Sequence, residues 1–296
     1  MLTRLRVASV SRPSPSFARV ELAGPDLASF GVDGPLYDQR IKLLFPPASG
    51  VLPELRPDSW WTDFAALPEE TRGSVRTYTV ADFVDAGEES LLVVDFVLHP
   101  GAHGPGSGWA LSAAVGDELL AVVPEKGAFM GGIEFAPGDA SRVLLVGDET
   151  ALPAVVQILR DLPSGVTGSV FLEVPLEADV VPLPEAPGVE VTWLARNGSP
   201  VGSLAVEAVG AHLGFAPAPG EAVEQVDVDP DLWETPAYSS AGESLESAAV
   251  DDRYAWIAGE SGMVTRLRRH LVGELGLPRA QVAFMGYWRI GVAMRG

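Results

Sequence analysis

The spacing of apolar residues changes near residue 140. Upstream, apolar positions fall in short β-rich runs at 19–22, 40–45, 75–83, 91–98 and 118–123, separated by Gly, Pro and Asp turns. Such spacing predicts a small antiparallel barrel. Residues 48–72, which include Trp60 and Trp61, are too many for a hairpin loop and read as an insertion whose tryptophans pack locally. Downstream, a wholly apolar run at 143–146 ends at Gly147, passes through the acidic turn Asp148-Glu149-Thr150 and continues to Leu162 with apolar residues at helical spacing. That is a buried strand feeding a helix. Strands at 168–174, 189–195, 254–258 and 281–285 then alternate with helical patterns at 202–213 and 262–275. Alternation of this kind predicts a doubly wound parallel sheet in an α/β domain. The expected division is 1–140 and 141–296, with a Pro- and acid-rich loop at 214–252.

Composition narrows the chemistry. With 296 residues, 47% hydrophobic, the chain has enough apolar residues for two cores, and no run approaches the roughly 20 residues of a membrane helix. The basic start lacks a continuous apolar stretch, so no signal peptide is expected and the cytoplasm is the expected location. Zero cysteines exclude disulfides, thiolate zinc sites and cysteine-ligated iron-sulfur clusters, so redox chemistry requires a bound cofactor. A net charge of -20 argues against nucleic acid as a partner.

Three stretches carry candidate chemistry. In Arg76-Thr77-Tyr78-Thr79, strand alternation puts Arg76 and Tyr78 on one face, a guanidinium beside an aromatic ring. A flavin dinucleotide uses both, the fork for its pyrophosphate and the ring for its isoalloxazine. Downstream, the strand ending at Val97 and His99 is followed by the glycine-rich turn 104–110, whose backbone amides suit a pyrophosphate. Pro100 and Gly101 between His99 and His103 forbid a helical metal-ligand pair, so no metal site is expected. The turn after Gly147 contains one glycine and two carboxylates and is not a Gly-x-Gly-x-x-Gly cradle.

Taken in order, RTYT, DFVLHP, GPGSGWA, LLVGDETALPAVVQIL, WIAGESGMVTRLRRHL and GYWRIG resemble the siderophore-interacting protein family of flavin-dependent ferric-siderophore reductases, related to the ferredoxin-reductase superfamily. The resemblance runs from about residue 10 to 291. It implies a six-stranded FAD-binding barrel, an NAD(P)H-binding α/β domain and reduction of siderophore-bound Fe(III) to Fe(II). By the same resemblance Arg76, Tyr78, Thr79, Val97, His99, Gly106, Ser107 and Trp109 hold FAD. Asp148, Thr150, Gly259 and Glu260 lie where that superfamily brings nicotinamide to flavin, and Lys42 and Arg289 are candidates for the ferric siderophore. Arg266 and Arg269, three apart on one helix face, join them as candidate substrate cations. Two positions depart from the family pattern: Ala81 stands where relatives often carry a second arginine, and Gly108 precedes Trp109 where arginine is common.

Nicotinamide gives two electrons as hydride and Fe(III) accepts one, so a flavin must mediate and no catalytic side chain is required. Glu173, at a strand end, suits a ribose diol and favours NADH, whereas Arg196 after the next strand would favour NADPH. A monomer is expected. The rival readings are a general NAD(P)H-flavin reductase or electron-transfer arm, and a siderophore-binding protein without enzymatic activity.

Overall fold

The structure, a computed structural model, describes residues 1–98, 104–215, 233–235, 238–239 and 252–292, the pair 238–239 by backbone alone. The chain forms two compact units, Met1–Ile133 and Glu134–Met294.

The first unit is one seven-stranded antiparallel sheet, built from β1 (Leu2–Ser14), β2 (Phe17–Ala23), β3 (Arg40–Phe45), β4 (Ser74–Thr79), β5 (Asp82–Val84), β6 (Leu91–Val97) and β7 (Glu118–Val122) in the order β4-β3-β7-β1-β2-β6-β5. Its two edge strands, β4 and β5, are consecutive in the chain and joined only by Val80 and Ala81. The sheet must therefore curl until its edges meet, and Val80 N and Ala81 N donate to Gln39 O (2.9 Å) and Val93 O (2.9 Å) on the two sides of the seam. It is a barrel-like sheet of seven strands rather than six, and its ladder is not closed; the short β5 is the strand that the apolar pattern merges into 75–83. Leu5, Val20, Ile41, Leu43, Val94, Phe96 and Leu119 fill its interior.

The 48–72 insertion contains two short helices, α1 (Trp60–Ala66) and α2 (Glu69–Arg72). Phe64 and Trp60 pack on Leu44, Val75 and Leu120 outside the barrel, whereas Trp61 stacks on Phe64 and stays half exposed. The insertion re-enters the sheet at Gly73, which has φ +71° and whose missing Cβ would lie 2.1 Å from Phe45 O.

In the second unit β8 (Arg142–Gly147), β9 (Thr167–Val174), β10 (Val189–Ala195), β13 (Arg253–Glu260) and β14 (Val282–Trp288) run parallel, in the order β10-β9-β8-β13-β14. The chain winds outward from β8 to β10, then returns to the other side of β8, so the strand order reverses between β8 and β13. Helix α4 (Leu152–Asp161) follows β8, α5 (Ser203–Leu213) follows β10, and α6 (Ser261–Arg268) follows β13 and continues as a π-helical stretch to Glu274. Leu144, Val146, Ile257 and Phe284 pack with Val206 of α5, Met263 and Leu267 of α6, and Leu271 of the π-helical stretch.

The sheet is mixed rather than purely parallel. Strand β11 (Trp233–Thr235) pairs antiparallel with β14, and β12 (Tyr238–Ser239) pairs with β11. Both lie inside the 214–252 stretch expected to be a loop; its remaining residues from 216 to 251 lie outside the described ones. Here one carboxylate overrides a polar composition: buried Glu234 accepts from Arg268 Nε (2.6 Å) and Nη2 (3.0 Å) and from Arg279, which pins β11.

Replacing Gly73 by Ala lowers stability by roughly 2 to 4 kcal/mol, because strain and a backbone clash coincide. Gly50→Ala, at a similar φ of +75° but in open space, costs about 1 kcal/mol. Urea unfolding of the two variants measures the difference.

Candidate functional site

Strand β4 pairs with β3 so that Arg76 faces Leu43 and Tyr78 faces Ile41, both core residues. Arg76 and Tyr78 thus share the inner side of the sheet. The Tyr78 ring lies 4.6 Å from Phe96 and 6.2 Å from Phe45, and Trp109 lies 5.6 and 5.4 Å from the same two rings. Helix α3 (Pro105–Ser112) brings Trp109 there. It begins after Gly104 with no side-chain cap, and Ser107 Oγ donates to Gly104 O (3.1 Å). A Cβ on Gly106 would sit 1.8 Å from the Tyr78 hydroxyl oxygen, so only glycine allows this approach. Burial pushes the Tyr78 phenol well above its usual range, against a smaller opposite pull from Arg76. Val97 ends β6 opposite Phe17, and Thr79 is buried opposite Arg40. His99 lies outside the described residues.

Arg76 is half-buried, and desolvation lowers its pKa. It donates to Val75 O (2.6 Å) and, among the described residues, forms no ion pair. In a chain with 40 acidic and 20 basic residues, a partly desolvated guanidinium without a carboxylate is a place for a ligand anion. Together with the aromatic faces and the uncapped helix start, it fits FAD.

Lys42 is placed differently. It pairs with Thr77, and its Nζ donates to Thr77 Oγ1 (2.8 Å) on the outer side of the sheet, opposite Arg76 and Tyr78. Burial and neighbouring Arg40 lower its pKa.

In the α/β unit, the crevice at the carboxyl ends of β8 and β13, where the strand order reverses, is the usual ligand position in such sheets. Asp148 stands there with no exposure to solvent. Its Oδ1 accepts from Thr150 N (2.9 Å) and Thr150 Oγ1 (2.6 Å), and its Oδ2 from Glu260 N (2.7 Å) and Trp288 Nε1 (2.7 Å). Burial, together with the negative charge of Glu149, pushes the Asp148 carboxyl up to about 6 against these hydrogen bonds. Gly259, at φ +142°, has no room for a side chain, since its Cβ would lie 2.6 Å from the Asp148 carboxyl. Glu260 caps α6 by accepting from Met263 N (3.0 Å). Thr150 and Glu260 are therefore gathered around Asp148, whose lone pairs are taken up by the protein.

The residue on which the preference for NADH rests is also engaged. Glu173 is fully buried and accepts from Gly202 N (2.6 Å) and Ala205 N (2.9 Å), so it caps α5 instead of facing a ribose. Arg196 does not face one either: Nη1 and Nη2 clasp Glu149 (2.6 and 2.7 Å), and Nη1 also reaches Glu173 (3.3 Å). Burial works against the charge on Arg196, but Glu149 and Glu173 outweigh it and raise its pKa. No local pattern signals a pairing across 47 residues. Trp288 carries no such signal either, because within GYWRIG it reads as an ordinary strand aromatic.

Among the other candidate cations, Arg266 donates to Val201 O (3.4 Å) beside the start of α5, Arg269 is exposed at the start of the π-helical stretch, and Arg289 follows β14. No described group of three or more His, Asp or Glu is placed to hold a metal. No helix among the described residues is long and apolar enough to cross a membrane.

Comparison with known proteins adds the following. The family described as siderophore-interacting protein matches residues 140–291, and the siderophore-interacting FAD-binding domain matches residues 6–128. An uncharacterized protein of Mycobacterium tuberculosis is 34% identical over 198 residues, 67% of this chain and 66% of that protein. The ferric vibriobactin reductase ViuB of Vibrio cholerae is 30% identical over 94% of this chain and 86% of its own length. The crystal structure of a siderophore utilization protein from T. fusca, 29% identical, superposes with a TM-score of 0.68 over 99% of this chain and 94% of that one.

Arg76→Ala weakens FAD binding by about ten- to a hundredfold, the worth of a charge-assisted contact, as read from flavin content and reconstitution titrations. Because the folded pKa of Asp148 lies above its unfolded value, its contribution to stability is fully present below about pH 4 and lost as pH rises through about 6. Subtracting the melting curve of Asp148→Asn, which carries no such term, from that of the wild type between pH 4 and 7 reveals this slope.

Proposed function

The chain belongs to the siderophore-interacting protein family, and on that premise we propose that it is a FAD-dependent ferric-siderophore reductase that takes its electrons from a reduced pyridine dinucleotide. The observation that carries the reading is Arg76, a half-buried guanidinium with no acidic partner among the described residues, beside the Tyr78, Phe96 and Trp109 rings, in a protein of net charge -20. Bound there, FAD supplies the conversion of a two-electron donor into one-electron steps that Fe(III) accepts. The residues of the chain hold and orient. Arg76 anchors the pyrophosphate, Tyr78 and Trp109 offer ring faces, Gly106 permits the close approach of helix and ring, and Thr79, Val97 and Ser107 border the site.

The ferric chelate is the substrate. Catecholate chelates are anionic and the protein is too, so local cations are needed to hold them. Lys42 is the leading candidate, since Thr77 Oγ1 is its one hydrogen-bond partner and no carboxylate pairs with it among the described residues. Arg266, Arg269 and Arg289 have interactions within the protein and take second place. With Glu173 and Arg196 engaged within the protein, the described site does not select between the two dinucleotides, and the donor is NADH or NADPH. The proposed location is the cytoplasm and the proposed state a monomer.

Trapping of Fe(II) by ferrozine, with NADH or NADPH and a panel of ferric catecholates, hydroxamates and citrates, tests the reading. Turnover is expected with at least one chelate, and Lys42→Ala is expected to raise its KM severalfold at unchanged flavin content. Absence of Fe(II) across the panel from flavin-loaded protein would overturn it.

A further inference from the structure

Trp288 ends β14, and its indole nitrogen reaches Asp148 at the end of β8 although β13 runs between them. Two strand spacings amount to roughly 10 Å, so the indole must lie over the end of β13. Two features turn it there. A bulge in the β13–β14 ladder, where Gly259 pairs with Gly286 but Glu260 pairs with Trp288, re-aims the side chain. Glycine at 259 leaves space for the Asp148 carboxylate, which the indole meets. The backbone is held as well, since Ser261 Oγ donates to Trp288 O (3.0 Å). The indole is half-buried, fixed at its N–H edge, and placed at the crevice where the strand order reverses.

We propose that the exposed part of the Trp288 indole is the face on which the nicotinamide ring of the donor dinucleotide stacks, and that Asp148 is the positioning residue that sets its angle. This rests on the reading of the protein as a pyridine-dinucleotide-dependent reductase and deepens it. An indole face is electron-rich, and the hydrogen bond from its N–H to a carboxylate increases that character. The oxidised ring is a cation and the reduced ring is neutral, so the face favours the oxidised form through a cation–π contact. Asp148 acts through Trp288 and touches no ligand. The charged groups around it are Glu149 beside it in the turn, Glu173 and Arg196 from the β9 and β10 ends, and Glu260 from β13. Protonation of Asp148, whose carboxyl is pushed up to about 6, removes acceptor capacity from the clasp and frees the indole.

The test is anaerobic calorimetric titration of protein carrying oxidised flavin with NAD+ and NADP+, and of the same protein with its flavin chemically pre-reduced with NADH and NADPH, so that no hydride transfer accompanies binding, using wild type, Trp288→Phe, Trp288→Ala and Asp148→Asn. Retained flavin absorbance and an unchanged circular dichroism spectrum verify that each variant is folded. Trp288→Ala is expected to raise the Kd of the oxidised form about tenfold, the reduced form less, with Trp288→Phe intermediate. Wild-type affinity is expected to fall as pH drops through about 6 and that of Asp148→Asn to stay level. Equal losses for oxidised and reduced forms, or wild-type affinity in Trp288→Ala, would overturn the stacking assignment while leaving the donor reading intact. Wild-type protein that binds none of the four dinucleotides would instead overturn the donor reading, and this assignment with it.

Discussion

A carboxylate that water cannot reach ties together the ends of three strands. Asp148 is tolerable in the interior because four donors surround it, two from its own turn and one each from β13 and β14. Its neighbour Glu149 is equally buried and is held by Arg196. The acidic turn after β8 therefore faces inward, and each of its two charges answers to a different part of the sheet. Glycine at 259, the ladder bulge and the orientation of Trp288 all follow from accommodating Asp148.

The barrel unit solves the opposite problem. There the unusual charge is a cation with no anion beside it among the described residues, in a chain where acids outnumber bases two to one. Most described arginines near carboxylates are clasped by them, as Arg19 is by Asp95 and Arg56 by Asp63. Arg76 is excluded from such pairing because its strand neighbours on the inner side are Leu43 and the aromatic rings. Keeping it unpaired maintains an electrostatic demand that a dinucleotide pyrophosphate can meet.

Much of this was legible in the sequence because it depends on local periodicity. The change from a period of two to alternating strands and helices separates the two units, and alternation alone puts Arg76 beside Tyr78. What escaped is long-range or run against composition. By sequence Glu173 reads as a ribose ligand because it ends a strand, yet the amides at the start of a helix 29 residues on claim it. The strand Trp233–Thr235 sits in an acid- and proline-rich stretch and is fixed by Glu234 with two arginines beyond the next strand. No periodicity encodes such pairings. The six motifs of the family resemblance supplied what local pattern could not, though they left the role of Trp288 undefined.

The hydrogen bond between Asp148 and Trp288 spans 140 residues, and β14 is the last strand formed along the chain. Domains fold as units, the amino-terminal one first, as the chain is synthesised. A ribosome-bound chain can thus complete the barrel while the α/β sheet still lacks β14, its last described strand. The crevice at Asp148 is therefore the last part of the described fold to close, because one of the four donors to that carboxylate comes from β14.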